Sequence, residues 1–325
     1  MKSPNSSVWL IGAGSMAVDY AKVLKALAIP MLVIGRGSAS SQTFSEKTGL
    51  PAYSGGLESF LAGAPLLPEA AIVAVGVEGL AATTKRLLEY GVQRIMVEKP
   101  GALHQHELLD LAAAAAARSA EILIAYNRRM YASTLHAQRL IEEDGGVQSM
   151  NFEFTEWGHV IEGLHKADGV KSAWLLGNST HVIDLAFYLG GTPVDMHSYT
   201  SGGLEWHPSS AVFAGAGLTD RGVLFSYQAN WGAPGRWSVE VLTANYRLVF
   251  RPMESLQIVK KGSVTVESVS LNDQMDKAFK PGLYEQVNRF IQRRADGLCT
   301  LEEQLVHWPL YTRIAGYKVD SKSDT

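Results

Sequence analysis

At 325 residues, 46% hydrophobic and 19% charged, the chain has room for two domains with buried cores and too much apolar content to stay disordered. A net charge of −3 excludes a globally basic nucleic-acid or anionic-membrane binder, so neither partner is expected. One cysteine, Cys299, excludes an internal disulfide framework and suits a reducing, cytoplasmic compartment.

In chain order, the apolar run Val8 to Ile11 reads as a first strand, too short for an export signal and stopped at once by glycine. A helix follows from about Ser15 to Leu27, then a strand from Met31 to Ile34. Ala71 to Val75 is another strand, with a helix after it from roughly Leu80 to Tyr90. Arg94 to Val97, a helix around Glu107 to Arg118, and Ile122 to Ala125 complete the series. Arg118 and Glu121 interrupt the alanine tract Ala112 to Ala117, which falls short of the roughly 20 apolar residues a membrane span needs. Strands alternating with helices predict βαβ units, and near-continuous apolar strands predict a parallel sheet covered on both faces. The expected class is α/β, with a doubly wound N-terminal domain over residues 1–125.

Near Tyr126 the pattern changes. A helix is predicted near Ser133 to Glu143, an alternating strand from Met150 to Trp157 and a helix from about Ser179 to Leu189. Ser210 to Gly215, Val223 to Ala229, Ser238 to Thr243 and Tyr246 to Phe250 are short strands broken by Gly, Pro and Asn. They predict hairpins in a mostly antiparallel sheet. A final helix begins after Pro281-Gly282 and runs to about Arg294. Residues 126–325 are therefore expected to form a second, α+β domain for substrate binding and oligomerisation.

Gly12-Ala13-Gly14-Ser15-Met16-Ala17 fits G-x-G-x-x-G/A between the first strand and first helix, a Rossmann-type dinucleotide turn. Gly12 permits the tight turn, and Gly14 lets a pyrophosphate approach the backbone. Ser15 and Met16 open the helix, whose unpaired N–H groups receive phosphate. Val75, ending a neighbouring strand, joins the expected cofactor set. The second strand runs into Gly35-Arg36-Gly37-Ser38, without the acid that usually grips an NAD ribose. Arg36 can pair with a 2′-phosphate and Ser38 can donate to it, so NADP is preferred and NAD remains open.

Four motifs occur together: Gly12-Ala13-Gly14, Glu98-Lys99-Pro100 at a strand end, Tyr126-Asn127-Arg128-Arg129 after a strand, and His181-Val182-Ile183-Asp184 on a helix. In order and spacing the chain resembles the Gfo/Idh/MocA oxidoreductases, the family of glucose–fructose oxidoreductase and inositol dehydrogenase. The resemblance implies a C-terminal domain with a large open sheet, and hydride exchange between nicotinamide and a carbon of a sugar, cyclitol or sugar derivative. It places Lys99 at proton transfer with His181 beside it, Glu98 at the cofactor ribose, and Asn127 and Arg128 at the cofactor–substrate junction. It also implies a non-catalytic dinucleotide-binding regulator as the second reading, since the same fold hosts a repressor. A free lysine titrates near 10.4, so burial and the cationic nicotinamide ring would have to bring a proton-transfer lysine toward neutrality. One departure stands out. Where many members have an acid four residues before the histidine, this chain has Gly177, followed by Asn178.

Other substrate candidates are Asn178, Glu156, Trp157, Trp231, Arg236 and Tyr284. Each also has an ordinary packing role available. Trp faces suit sugar rings, and Arg236 suits a carboxylate or phosphate. His159 and His165 lack companion Cys or acid spacing, so no metal is expected. An open sheet leaves a face to cover, which predicts a homodimer or homotetramer through the C-terminal sheet.

Overall fold

The computed structural model describes residues 8–317. The first elements alternate strictly: β1 (Val8–Ile11), α1 (Ser15–Ala26), β2 (Met31–Ile34), α2 (Ser38–Thr48), β3 (Ala52–Tyr53), α3 (Gly56–Ala62) and β4 (Ala70–Val73). Then come α4 (Leu80–Tyr90), β5 (Arg94–Glu98), α5 (Gln105–Ala116), β6 (Glu121–Ala125) and α6 (Ala132–Glu143). The middle of the chain holds β7 (Ser149–Glu153), α7 (Gly158–Glu162), α8 (Thr180–Gly190), β8 (Pro193–Ser201), β9 (Val212–Thr219) and β10 (Leu224–Asn230). After them run β11 (Ser238–Leu242), β12 (Tyr246–Phe250), β13 (Gln257–Lys260), β14 (Glu267–Ser268), α9 (Gln274–Ala278), α10 (Leu283–Ile291), β15 (Cys299–Thr300) and α11 (Leu301–Ala315).

Two compact units result. One comprises the chain up to Met130 together with Gln274–Leu305; the other comprises Tyr131–Asp273 and the residues from Val306 onward. The division therefore differs from a single boundary at residue 126. The cause is α10, whose Leu283, Val287 and Phe290 recur at helical spacing and are buried in the core cluster of the first unit.

The first unit is a seven-stranded sheet in the order β15-β6-β5-β4-β1-β2-β3, parallel except for β15, which pairs antiparallel with β6. Leu10 lies beside Val33 on one flank and Ile72 on the other, and Ile72 beside Met96. These central side chains are almost wholly buried, as expected when helices cover both faces. The second unit is an eight-stranded sheet in the order β14-β13-β12-β11-β7-β10-β9-β8, antiparallel except for the β7–β10 pair. Its one covered face packs α8, buried along nearly its whole length, against β7 and β11. Phe152 and Phe187 meet there edge to face at 5.9 Å. The burial of β10 alternates residue by residue, the mark of a sheet with one open face.

Among the departures from the sequence expectation, three elements matter most here. Helix α2 is serine-rich and buries only Ser41 and Phe44, so it carries no apolar period. Helix α11 contains Pro309, which reads as a terminator, yet it runs from Leu301 to Ala315 beyond the helix expected to be last. The Thr300 hydroxyl starts it by accepting the Glu303 N–H at 3.2 Å. The strand expected to reach Trp157 leaves its ladder after Glu153, which frees Glu156 and Trp157 from the sheet. No helix among the described residues is long and apolar enough to cross a membrane.

Candidate active site

In the first unit, β1 delivers the chain into a turn that only glycine can make. Gly12 has φ 122°, its N–H donates to the Ile34 carbonyl at 2.8 Å, and a Cβ there would collide with the Ala74 carbonyl oxygen. A Cβ on Gly14 would meet nothing within 4 Å, so the backbone is open to a ligand. Helix α1 starts at Gly14 with no side-chain cap and no acid in its first turn, which leaves its first N–H groups available to an anion. Around this turn lies a cleft of about 680 Å³. Gly12, Gly14, Ser15, Met16, Arg36 and Val75, all named from sequence, line it together.

At the β2 end the lining includes Arg36, Gly37 and Ser40 and, among the described residues, no carboxylate; the acid that lines the cleft is Glu78, beyond β4. Ser38 is exposed as the first residue of α2 and does not line the cleft. Ser40, further into α2, does line it, a residue not singled out from sequence because α2 gave no periodic signal.

At the carboxyl end of β5, Glu98 accepts a 2.6 Å hydrogen bond from the Tyr20 hydroxyl of α1. Burial pushes the Glu98 carboxyl above its ordinary range, while the Tyr20 bond and the charges of Lys99 and Lys280 pull it back. Lys99 is half-buried, and its peptide to Pro100 is cis. Neither Glu98 nor Lys99 lines the glycine cleft. Asn127 and Arg128 lie in the 3₁₀ turn after β6 and are likewise outside it. The buried Asn127 amide donates to the Pro281 carbonyl at 2.9 Å, and Arg128 is half-buried. The neighbouring Arg129 is wholly enclosed, its guanidinium paired with Glu303 at 2.7 and 3.1 Å. Tyr20 and Lys280 were not visible as partners of Glu98, because nothing local marks a contact spanning 78 residues.

Tyr20→Phe removes the donor that favours ionised Glu98, so the folded-state pKa of that acid rises further. A raised carboxyl pKa adds stability below the unfolded value and loses it as pH rises through the folded value. The variant is therefore expected to be less stable by about 1–3 kcal/mol near neutrality and less affected in acid. Denaturant melts of both proteins across pH check this; a pH-independent difference contradicts it.

In the second unit a separate polar cluster forms where β7 ends. Glu156, 2% exposed, accepts from Asn178 Nδ2 and Ser179 Oγ, each at 2.8 Å, and from Arg236 at 3.4 Å. Burial raises the Glu156 carboxyl above its ordinary range, and those three partners oppose the shift. Asn178 and Ser179 belong to a single π turn, Leu175–Ser179, which leads directly into α8. Such turns re-aim side chains and recur at functional sites. The buried His181, on the first turn of α8, meets the Trp237 ring at 6.3 Å. Asp184 is wholly buried one turn later. Gly177, in the same π turn, has open space where a Cβ would stand.

Two of the expected substrate residues have extensive packing contacts. Trp231 is 2% exposed, stacks on Trp206 at 5.6 Å and donates its Nε1–H to the Phe154 carbonyl, so its faces are spent in the core. Tyr284, in the first unit, stacks on Phe279 at 5.3 Å against the core. Trp157 is 50% exposed beside Arg236. Among the described residues, no group of three His, Cys, Asp or Glu side chains could hold a metal.

Residues 7–126 match the family model of the GFO_IDH_MocA oxidoreductase family, NAD-binding Rossmann fold. No curated protein matches the sequence. Among solved structures, the chain is similar to levoglucosan dehydrogenase in complex with NADH, with a TM-score of 0.77 and 16% identity over 95% of this chain and 96% of that one. It is similar to an oxidoreductase from Agrobacterium radiobacter in complex with NAD+, L-tartaric acid and magnesium, with TM-score 0.76 and 12% identity over 94% of both chains. A third is UDP-N-acetylglucosamine 3-dehydrogenase from Acidithiobacillus ferrooxidans, with TM-score 0.74 and 14% identity over 96% of this chain and 97% of that one. At these identities the likeness establishes a shared fold.

Proposed function

We propose, from the match of its N-terminal domain to the Gfo/Idh/MocA oxidoreductase family, that the protein is an NAD(P)-dependent dehydrogenase or reductase acting on a hydroxyl or ketone carbon of a sugar, cyclitol or sugar derivative. The observation that carries this reading is the open glycine turn, with an uncapped α1 at the head of a cleft sized for a nucleotide. The levoglucosan and UDP-N-acetylglucosamine dehydrogenases of like fold support the sugar class. Nicotinamide supplies or accepts the hydride. Lys99 takes the hydroxyl proton during oxidation and returns it during reduction; His181 hydrogen-bonds the same oxygen. Glu98 holds the cofactor ribose, and Asn127 and Arg128 steady the nicotinamide end. Nicotinamide absorbance with a panel of sugars, polyols and their ketones, run with both cofactors, tests the reading. Failure across the panel, with cofactor binding intact, favours a dinucleotide-binding regulator.

NADP is the preferred cofactor in this proposal. Arg36 and Ser40 line the β2 end of the cleft, where this reading puts the adenine ribose, and among the described residues no acid lines that end to repel a 2′-phosphate. Arg36→Ala is expected to weaken NADPH by about 1.5–3 kcal/mol, the range of a charged hydrogen bond, and to leave NADH nearly unchanged. Fluorescence titration of both cofactors checks this; equal losses contradict a phosphate contact.

The open face of the second sheet presents Val194, Tyr199 and Leu224 at 66%, 71% and 64% exposure, which supports a homodimer or homotetramer through that face. Light scattering of the purified protein measures it. The single cysteine is consistent with a cytoplasmic enzyme.

A further inference from the structure

Arg236 lies between β10 and β11 in the sequence Gly235-Arg236-Trp237. Its guanidinium carbon is 4.9 Å from the Trp157 ring and 4.7 Å from the Trp237 ring, so it packs against two indoles. One nitrogen of the fork, Nη1, donates to Glu156 at 3.4 Å, and Asn178 and Ser179 hold that carboxylate in turn. Among the described residues Glu156 is its one hydrogen-bonding partner, so most of its five N–H donors remain unspent. The side chain is nevertheless 48% exposed.

This differs from an ordinary surface arginine, which is mobile and loses conformational freedom when it binds. Here the rotamer is set in advance by the indoles and the buried carboxylate, so little ordering cost remains for a ligand. The core does not require the arrangement, because Trp157 itself is half exposed and its Nε1–H is satisfied by the Gly235 carbonyl at 3.1 Å. The position is also informative. Trp237, which packs on Arg236, is the same ring that meets His181. The fork therefore stands one indole away from that histidine.

Resting on the dehydrogenase reading above, we propose that the substrate is a sugar bearing a carboxylate, and that Arg236 grips it. Planar, two-oxygen recognition is what a guanidinium edge offers. Glu156 offsets part of the local positive charge, which suits a singly charged carboxylate better than a dianionic phosphate.

Equilibrium binding to the whole protein is measured calorimetrically for glucuronate against glucose, galacturonate against galactose, and glucose 6-phosphate. Each acid is expected to bind roughly 10–100-fold more tightly than its neutral partner, as one charged hydrogen-bonded pair implies. Arg236→Met should bring that ratio to within about 3-fold, and Arg236→Lys, which keeps charge without the fork, should restore only part of it. Thermal melts of both variants verify that they are folded. Equal affinity within each pair, a ratio unmoved by Arg236→Met, or tighter binding of the phosphate each overturns the proposal. Nicotinamide absorbance on the same panel separates the two readings. Turnover of neutral sugars without preference for acids refutes the carboxylate assignment alone, whereas acid binding without any turnover refutes the dehydrogenase reading.

Discussion

Lys99→Met is expected to lower turnover by about 10²–10⁴-fold while the protein stays folded and still binds its cofactor. Methionine keeps most of the aliphatic volume at this half-buried position and loses only the proton-carrying nitrogen. Glu98, beside it, loses a favourable charge but keeps the Tyr20 hydrogen bond and the Lys280 charge. A thermal melt and a cofactor titration are therefore expected to move little, and kcat a great deal. Rates near those of the unaltered protein would assign proton transfer to another group.

The largest stability effect is expected at Arg129 and Glu303. Arg129 is 1% exposed and engages Glu303 through two parallel hydrogen bonds at 2.7 and 3.1 Å, while the Glu303 side chain is 33% exposed. Removing one partner of a buried pair costs about 3–5 kcal/mol, mostly through the charge left behind. The two single variants are therefore unequal. Glu303→Ala takes the facing carboxylate from a guanidinium that water does not reach and should cost the larger amount, up to a fall in Tm of roughly 6–20 °C for a unit of this size. Arg129→Met leaves a carboxylate that water already reaches, and should cost distinctly less. Denaturant melts of both variants and the double variant check the order. Equal losses would mean that volume, and not stranded charge, sets the cost.

The dinucleotide domain was legible because its signals are local. Val8 to Ile11 is apolar throughout because helices cover both faces of a parallel sheet, and Gly12 has a positive φ at which any Cβ would collide with the Ala74 carbonyl. Period and turn chemistry are properties of neighbouring residues, so the βαβ series, the cleft residues and the mostly antiparallel second sheet could be read in advance. Helices α2 and α11 could not, since one lacks an apolar period and the other contains Pro309.

Long-range pairing belonged to the tertiary structure. Arg129 pairs with Glu303, 174 residues away, and nothing beside it in the Asn127-Arg128-Arg129 run marks that partner. Helix α10 reads as part of the second domain by position, but its apolar stripe is buried with α1 in the first unit. Sequence supplied Glu156, Asn178, Trp157 and Arg236 as separate candidates, each with an ordinary packing alternative. The end of β7, the π turn before α8 and the link between β10 and β11 turned them into one polar cluster around a buried carboxylate. A residue's type and neighbours determine which bonds it can make. Which bond it does make depends on the chain that folding brings beside it, because a buried polar group takes whatever partner lies within hydrogen-bonding reach.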